Sequence, residues 1–254
     1  MRAHSLPPDI SVALIEPQTP ENIGAVARSM ANFGVHSLII ASPRCDHLSI
    51  EARKVACHAQ HILEKARIVG VADVFAMDML VATTSKIGTD YNITRTPVLL
   101  PAFSAPPGCT LVFGREGDGL SNEELAQADM ILTIPTAAYA ALNLSHAVAI
   151  VLYQATHGSR LKAASADKRG DARPAGRKEK DAFMALAEAR VGALDLPAPK
   201  QTQHLQVLRR AVGRMSGREL ALFFGLIKEL GKDTTTLKKD TEANRADEQK
   251  RIER

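Results

Sequence analysis

Between Ile10 and Thr156 the chain alternates short apolar runs with segments of helical period, and this alternation constrains the fold more than any other property. Ile10-Ser-Val-Ala-Leu-Ile15, Ser37-Leu-Ile-Ile-Ala41, Met79-Leu-Val-Ala-Thr83, Thr110-Leu-Val-Phe113 and Met130-Ile-Leu-Thr-Ile134 are too short and too evenly apolar for amphipathic helices. They read as strands buried on both faces. Thr19-Pro20 opens a helix, with Thr at the N-cap and Pro at the first helical position, and Gly34 closes it. Residues 50–65, Asn122 to Ala128 and Leu142 to Thr156 are also helical in pattern. Buried strands separated by helices predict an α/β fold, a mainly parallel sheet with helices on both faces.

At Gly158 the alternation stops. Residues 158–180 are basic and contain Gly, Ala and Pro but almost no large apolar side chain, the composition of a flexible linker. Helical period returns at Asp181 with Phe183, Leu186, Ala187 and Val191, and again over about Gln203 to Met215. It restarts at Ser216-Gly-Arg-Glu219, a capping-box spacing, with Leu220, Phe223, Phe224 and Ile227 on one face. The expected organisation is an α/β body over 1–157, a linker over 158–180 and a small all-α unit over 181–254.

Charge divides near the same place: residues 1–159 carry a net −4 and residues 160–254 a net +8. An acidic body with a basic extension is the distribution of an enzyme core carrying an anion-seeking arm, and nucleic acid is the commonest such anion. Lys178, Arg209 and Arg210 are candidate phosphate contacts, a solvated basic face being the plainer reading of the same residues. With no Trp and 4% aromatic residues, stacking is not the main way of holding bases. The three cysteines, Cys45, Cys57 and Cys109, exclude a disulfide scaffold and suit a reducing cytoplasm. No apolar run approaches the roughly 18 residues that span a bilayer, and the first nine residues lack the apolar core of a secretory leader. A cytoplasmic protein without membrane contact is expected. Neither Cys57, His58 and His61 nor Cys45 with His47 gives four ligands at zinc spacing, so no metal is expected.

Ligands of open α/β sheets bind beyond the carboxyl ends of the strands. Four segments fall there: Glu16 to Arg28, Ala82 to Ser85, Gly114-Arg-Glu-Gly-Asp-Gly-Leu-Ser121, and Ile134 to His146. The glycines of the third let the backbone turn tightly and approach a ligand. Its order, Gly-x-x-Gly-x-Gly late in the domain, is neither the dinucleotide fingerprint nor a Walker loop, since no Lys follows the last Gly.

Taken together, Asn22-x-Gly-Ala-x-Ala-Arg28 with Asn32-Phe33-Gly34, Phe113-Gly-Arg-Glu-Gly-x-Gly-Leu-Ser121, Ile134-Pro135 and Leu142-Asn-Leu-Ser-His-Ala147 form an ordered set over about residues 8–157. It resembles the SPOUT methyltransferases, and within them the TrmJ-like tRNA ribose 2′-O-methyltransferases. The resemblance implies a trefoil knot at the end of the first domain, a homodimer with the active site near its interface, and S-adenosyl-L-methionine held by the knot loops. Carried over by position, Thr83, Thr84 and Ser85 line the cofactor pocket, Gly114 lies against it, Ile134 offers backbone contacts to the adenine, and Ala141, Leu142 and Asn143 close it. Arg28 becomes catalytic, with Asn22 and Glu116 beside it.

A guanidinium is an awkward general base because it stays protonated. Arg28 either grips a phosphate as a fork and lets that phosphate or water take the 2′-hydroxyl proton, or loses proton affinity when desolvated beside the sulfonium; the first is favoured. Asn22 holds ribose or phosphate, or merely satisfies its turn. Arg115 meets RNA phosphate, or pairs with Glu116; Glu116 orients Asn22 or Arg28. Slim Gly24, Ala25 and Ala27 admit a close backbone, that of a subunit mate or of substrate. Where relatives often place a serine before Leu-Asn-Leu, this chain has Ala141, so no role passes to such a hydroxyl; Ser145 is one helical turn on. The implied activity is methylation of a tRNA ribose 2′-hydroxyl, on cytidine or uridine at anticodon-loop position 32. The alternatives are a ribosomal RNA methyltransferase of the same superfamily and a non-catalytic RNA-binding protein that kept the fold.

Overall fold

The computed structural model describes residues 9–86, 97–163 and 173–229, with residues 157–163 as backbone. Its elements follow in the order β1 (Ile10–Ile15), α1 (Pro20–Phe33), β2 (Ser37–Ala41), α2 (Ile50–Ala56), α3 (Gln60–Glu64), β3 (Arg67–Val69), α4 (Val71–Phe75), β4 (Leu80–Thr83), β5 (Val98–Leu99), β6 (Cys109–Phe113), α5 (Asn122–Ala126), β7 (Met130–Thr133), α6 (Leu144–Ala163), α7 (Arg177–Gly192) and α8 (Ala198–Gly213). A further helix, α9, covers 217–229. The seven strands form one sheet in the order β3-β2-β1-β6-β4-β7-β5, and every pairing is parallel.

Strand alternation divides the core in two. Ile10, Val12 and Leu14 of β1 face a layer made by α1, α2, α3 and α6. Ala13 and Ile15 face the other side, where Val74 and Phe75 of α4 and Leu125 of α5 cover the sheet. Both faces are thus buried, as the evenly apolar strands require. On the first face Gly24 is obligatory: a Cβ there would overlap the Ala52 carbonyl of α2. The backbone that approaches the slim side of α1 is therefore the chain's own second helix.

The expected elements are present with three physical differences. The 50–65 helix is broken at Cys57, whose backbone takes a left-handed φ of 52° before a short 3-10 turn. Strands β3 and β5, of three and two residues, and the five-residue α4 leave no periodic signal. The body's last helix runs past Gly158 to Ala163, because one glycine costs a helix only about 1 kcal/mol and good helix formers follow it. Since α7 already begins at Arg177, only the middle of the expected linker remains, and residues 164–172 lie outside the described residues, as does the charged tail from 230.

Phe183, Met184 and Ala187 of α7, Val212 of α8 and Leu220 of α9 form a separate small core. The Ser216/Glu219 capping box is made as its spacing requires, Glu219 N–H donating to Ser216 Oγ and Ser216 N–H to Glu219 Oε2. This unit is bolted to the sheet by a buried ion pair. Lys180 Nζ, only 3% exposed, lies 3.2 Å from Asp129 Oδ1 and donates to the Asp78 carbonyl at 2.6 Å. Asp129 Oδ2 accepts from Leu80 N–H, and Gly213 of α8 packs directly on Asp129. Burial pushes the Asp129 carboxyl above its ordinary range, against the pull of Lys180. Asp78, Leu80 and Asp129 stand where β4 and β7 begin, so the helical unit docks at the amino end of the strands.

Two stability outcomes follow. Lys180→Met leaves Asp129 buried and unpaired and lowers unfolding free energy by about 3–5 kcal/mol in urea titration, while Lys180→Met with Asp129→Asn recovers most of it. Gly24→Ala forces α1 from α2 and costs about 1–3 kcal/mol by the same measurement.

Candidate active site

Beyond the carboxyl ends of β4, β6 and β7 three loops enclose a cleft of about 200 Å³. The first is Thr83 to Lys86, the second Phe113 to Leu120, and the third runs from Ile134 to Leu142 into the start of α6. Its lining includes Thr83, Thr84, Ser85, Gly114, Ile134, Ala141 and Leu142. Phe113, Leu120, Leu132 and Leu144 add an apolar floor that the sequence reading missed. The signal was available, since each is the last apolar residue of a strand or the first of a loop or helix at this end of the sheet.

The glycine loop closes on itself. Arg115 and Gly119 exchange backbone hydrogen bonds, and a Cβ on Gly114 would collide with the Gly119 carbonyl carbon, so only glycine fits there. Arg115 clamps the loop. Its guanidinium donates to both Glu124 oxygens at 3.0 Å, to the Gly119 carbonyl and to Glu16. These carboxylates hold the guanidinium protonated more firmly than usual, Glu124 most of all. Glu16 is in turn held below the usual carboxylate range, mainly by Arg115 and also by Arg44. The partners of Arg115 are thus Glu124 and Glu16 rather than Glu116, and four of its five N–H groups are already committed. Glu124 also completes a capping box with Ser121, a spacing readable in the sequence.

Glu116 faces the other way. Its carboxylate accepts from Gln18 N–H, Thr19 N–H and Asn22 Nδ2, all at 3.1–3.2 Å. Thr19 occupies the N-cap of α1 as expected, but its side chain makes no cap; the carboxylate from the glycine loop holds the chain entering the helix instead. Asn22 Oδ1 then accepts from Asn143 Nδ2 at 3.0 Å, and Asn143 Oδ1 accepts from Ser145 N–H and Oγ–H. Glu116, Asn22, Asn143 and Ser145 form one chain of hydrogen bonds across the cleft mouth. Glu116 orients Asn22, and Ser145 orients Asn143. Asn143 itself does not line the cleft.

Arg28 lies elsewhere. It is exposed, six residues along α1 from Asn22, and its Nη1 sits 3.5 Å from the Cys57 thiol at the strained turn; it is not among the residues that line the cleft. Lys178, Arg209 and Arg210 are on the helical unit. Lys178 is exposed and Arg209 and Arg210 half-buried. Burial, and then neighbouring Arg214, lower the proton affinity of Arg210. Among the described residues no three His, Cys, Asp or Glu side chains cluster as metal ligands, and no helix is long and apolar enough to cross a membrane.

A parallel sheet, a glycine loop tied to the first helix and a cleft at the carboxyl ends of β4, β6 and β7 define an open α/β domain with its site at the strand ends. The profile of the SpoU rRNA Methylase family matches residues 9–153, and the chain belongs to that family. It is 37% identical over 153 residues to the tRNA (cytidine-2′-O-)-methyltransferase TrmJ of Methanocaldococcus jannaschii, a match covering 57% of this chain and 66% of that protein. It is also 37% identical over 153 residues to an uncharacterized tRNA/rRNA methyltransferase, LasT, of Escherichia coli K12, covering 57% of this chain and 67% of that one. The match thus spans about two thirds of these relatives. The crystal structure of TrmJ from Z. mobilis ZM4 superimposes with a TM-score of 0.61 at 26% identity, covering 87% of this chain and 98% of the other.

Removing the Glu116 carboxylate tests its place in the site. In Glu116→Ala the Gln18 and Thr19 amides exchange with solvent at least about tenfold faster, the strength of one charge-assisted hydrogen bond, while the amides of β1 are unchanged.

Proposed function

We propose that this chain is an S-adenosyl-L-methionine-dependent RNA ribose 2′-O-methyltransferase acting on tRNA, with a catalytic body over 1–157 and a basic helical extension that engages RNA. The observation that carries the reading is the cleft itself: three loops joined to α1 through Glu116, Asn22 and Asn143, on the helix that also carries Arg28. The residues present suit the cofactor. Phe113, Leu120, Leu132, Ile134 and Leu142 give an apolar seat for a planar base, and Glu116 and Asp118 place carboxylates at the mouth, complementary to a sulfonium. Threading of the chain through these loops into a trefoil knot belongs to the same reading.

Bound there, the cofactor supplies an electrophilic methyl group. The chain's part is positioning and charge. Asn22, fixed at both ends of its amide, offers a rigid polar edge to the ribose. Arg28 is exposed to water rather than desolvated, which favours its phosphate-fork role: it holds an RNA phosphate, and the 2′-hydroxyl proton leaves to that phosphate or to water. Most of the rate gain then comes from alignment of oxygen behind methyl. Because Arg28 lies outside its own cleft, the reading includes a homodimer that brings the α1 face of one copy to the cleft of the other. The exposed Ile150 and Tyr153 of α6, beside Phe33 of α1, offer apolar surface for such pairing.

Membership of the SpoU rRNA Methylase family and similarity to LasT, a tRNA/rRNA methyltransferase, leave ribosomal RNA as the second substrate. Similarity to TrmJ over 87% of the chain, the helical extension included, favours tRNA; a pyrimidine ribose of the anticodon loop is the proposed target. The three cysteines are free thiols, which suits the cytoplasm.

The deciding experiment is methyl transfer from labelled S-adenosyl-L-methionine to unmodified tRNA followed by digestion to nucleosides. Labelled 2′-O-methylpyrimidine is expected; label on ribosomal RNA alone points to the second substrate, and no cofactor binding contradicts the enzyme reading. Arg28→Ala is expected to lower kcat by at least about a hundredfold, with cofactor Kd within a few-fold, since the lost group aligns substrate rather than holding cofactor. Arg210→Glu with Arg214→Glu weakens tRNA binding and reduces its salt slope by about one per lost phosphate contact.

A further inference from the structure

The cleft has a lip to which the roles above assign nothing. Residues 135–141 are exposed throughout and join β7 to α6. Ala140, Ala141 and Leu142 line the cleft, and Asn143 enters the hydrogen-bonded chain at its mouth. In the middle of this run stands Tyr139, 84% exposed. Ala137 and Ala138 precede it and Ala140 and Ala141 follow it, so no adjacent side chain is bulky enough to cover either face of the ring.

Its isolation is unusual in this molecule. Phe75, Phe103, Phe113 and Phe183 are buried. Phe223 and Phe224 pack on Phe183. Tyr153, the next most exposed Phe or Tyr among the described residues at 56%, meets Phe33 edge-on. Among the described residues Tyr139 is the one Phe or Tyr that is mostly exposed and has neither a ring nor a hydrogen-bond partner. A phenol suits such a position because its body is apolar and its tip stays wet, which is why tyrosine favours surfaces that are covered in a working complex.

We propose that Tyr139 is a stacking platform for a base of the nucleotide presented to the cleft. This deepens the RNA methyltransferase reading and rests on it. An unpaired base splayed from an RNA loop is held by stacking on an aromatic ring, and every base offers a π-face, so one ring tolerates several bases. Tyr139 is adjacent in sequence to cleft-lining Ala140, which puts it on the rim of the cleft. With so few aromatic residues in the chain, this is a single platform and not a track, and it serves one turned-out nucleotide.

The chain has no Trp, so Tyr139→Trp introduces a single indole whose emission reports stacking directly. Addition of unmodified tRNA is expected to quench it. Tyr139→Ala is expected to lose about tenfold in kcat/KM for tRNA, mainly through KM, with cofactor Kd and unfolding midpoint unchanged, and Tyr139→Phe to restore activity. tRNA that binds by filter assay yet leaves the indole emission unaltered overturns the platform and leaves the enzyme reading intact, as does full activity in Tyr139→Ala. Failure of the native chain to bind tRNA or ribosomal RNA overturns both.

Discussion

The site depends on one carboxylate. Glu116 projects from the glycine loop after β6 and gathers the amides of Gln18 and Thr19 with the side chain of Asn22. That acceptor holds the chain as it enters α1, where Thr19 makes no side-chain cap. The loop can present Glu116 only because it is fixed from behind, by Gly114 packed on Gly119 and by Arg115 gripping Glu124 and Glu16. Loop, helix and cleft are one electrostatic assembly. Arg115, in the bridge to Gly119, faces the protein, and Glu116, in the turn that follows, faces the site.

The fold was largely legible in the sequence because its principal strands are buried on both faces, which makes each an uninterrupted apolar run. The elements that escaped are the ones with the least to bury: β3, with Arg67 and Ile68 exposed, and the two-residue β5. Cys57 escaped for a different reason. Its left-handed backbone, between α2 and α3, follows no residue preference of cysteine, so no local rule marks it. The docking of α7 escaped because Lys180 reads as one more basic residue of a solvated stretch, and only the fold supplies Asp78 and Asp129 as its partners.

Of the candidate site, Thr83, Thr84, Ser85, Gly114, Ile134, Ala141 and Leu142 lie along one cleft and Asn143 does not, since loops at the carboxyl ends of adjacent parallel strands converge. The ordered motifs did not reveal who holds whom. Arg115 and Glu116, adjacent in sequence, suggest a pair, yet their charges are satisfied by Glu16 and Glu124 on one side and by backbone amides on the other. Nor did spacing alone tell that Arg28 stands apart from its own cleft. One helix carries both Asn22 and Arg28, but they are six residues apart, more than one and a half turns, and so reach different surroundings.

The position of the helical unit sets a length scale. It is fastened where β4 and β7 begin, whereas the cleft opens where those strands end. Strands of four residues rise about 13 Å, and the flanking loops add to that span. A mononucleotide cannot touch both poles of one chain, whereas a folded hairpin with a stem and a loop can. The sheet thereby sets the least extent of any ligand that could meet both poles of one chain.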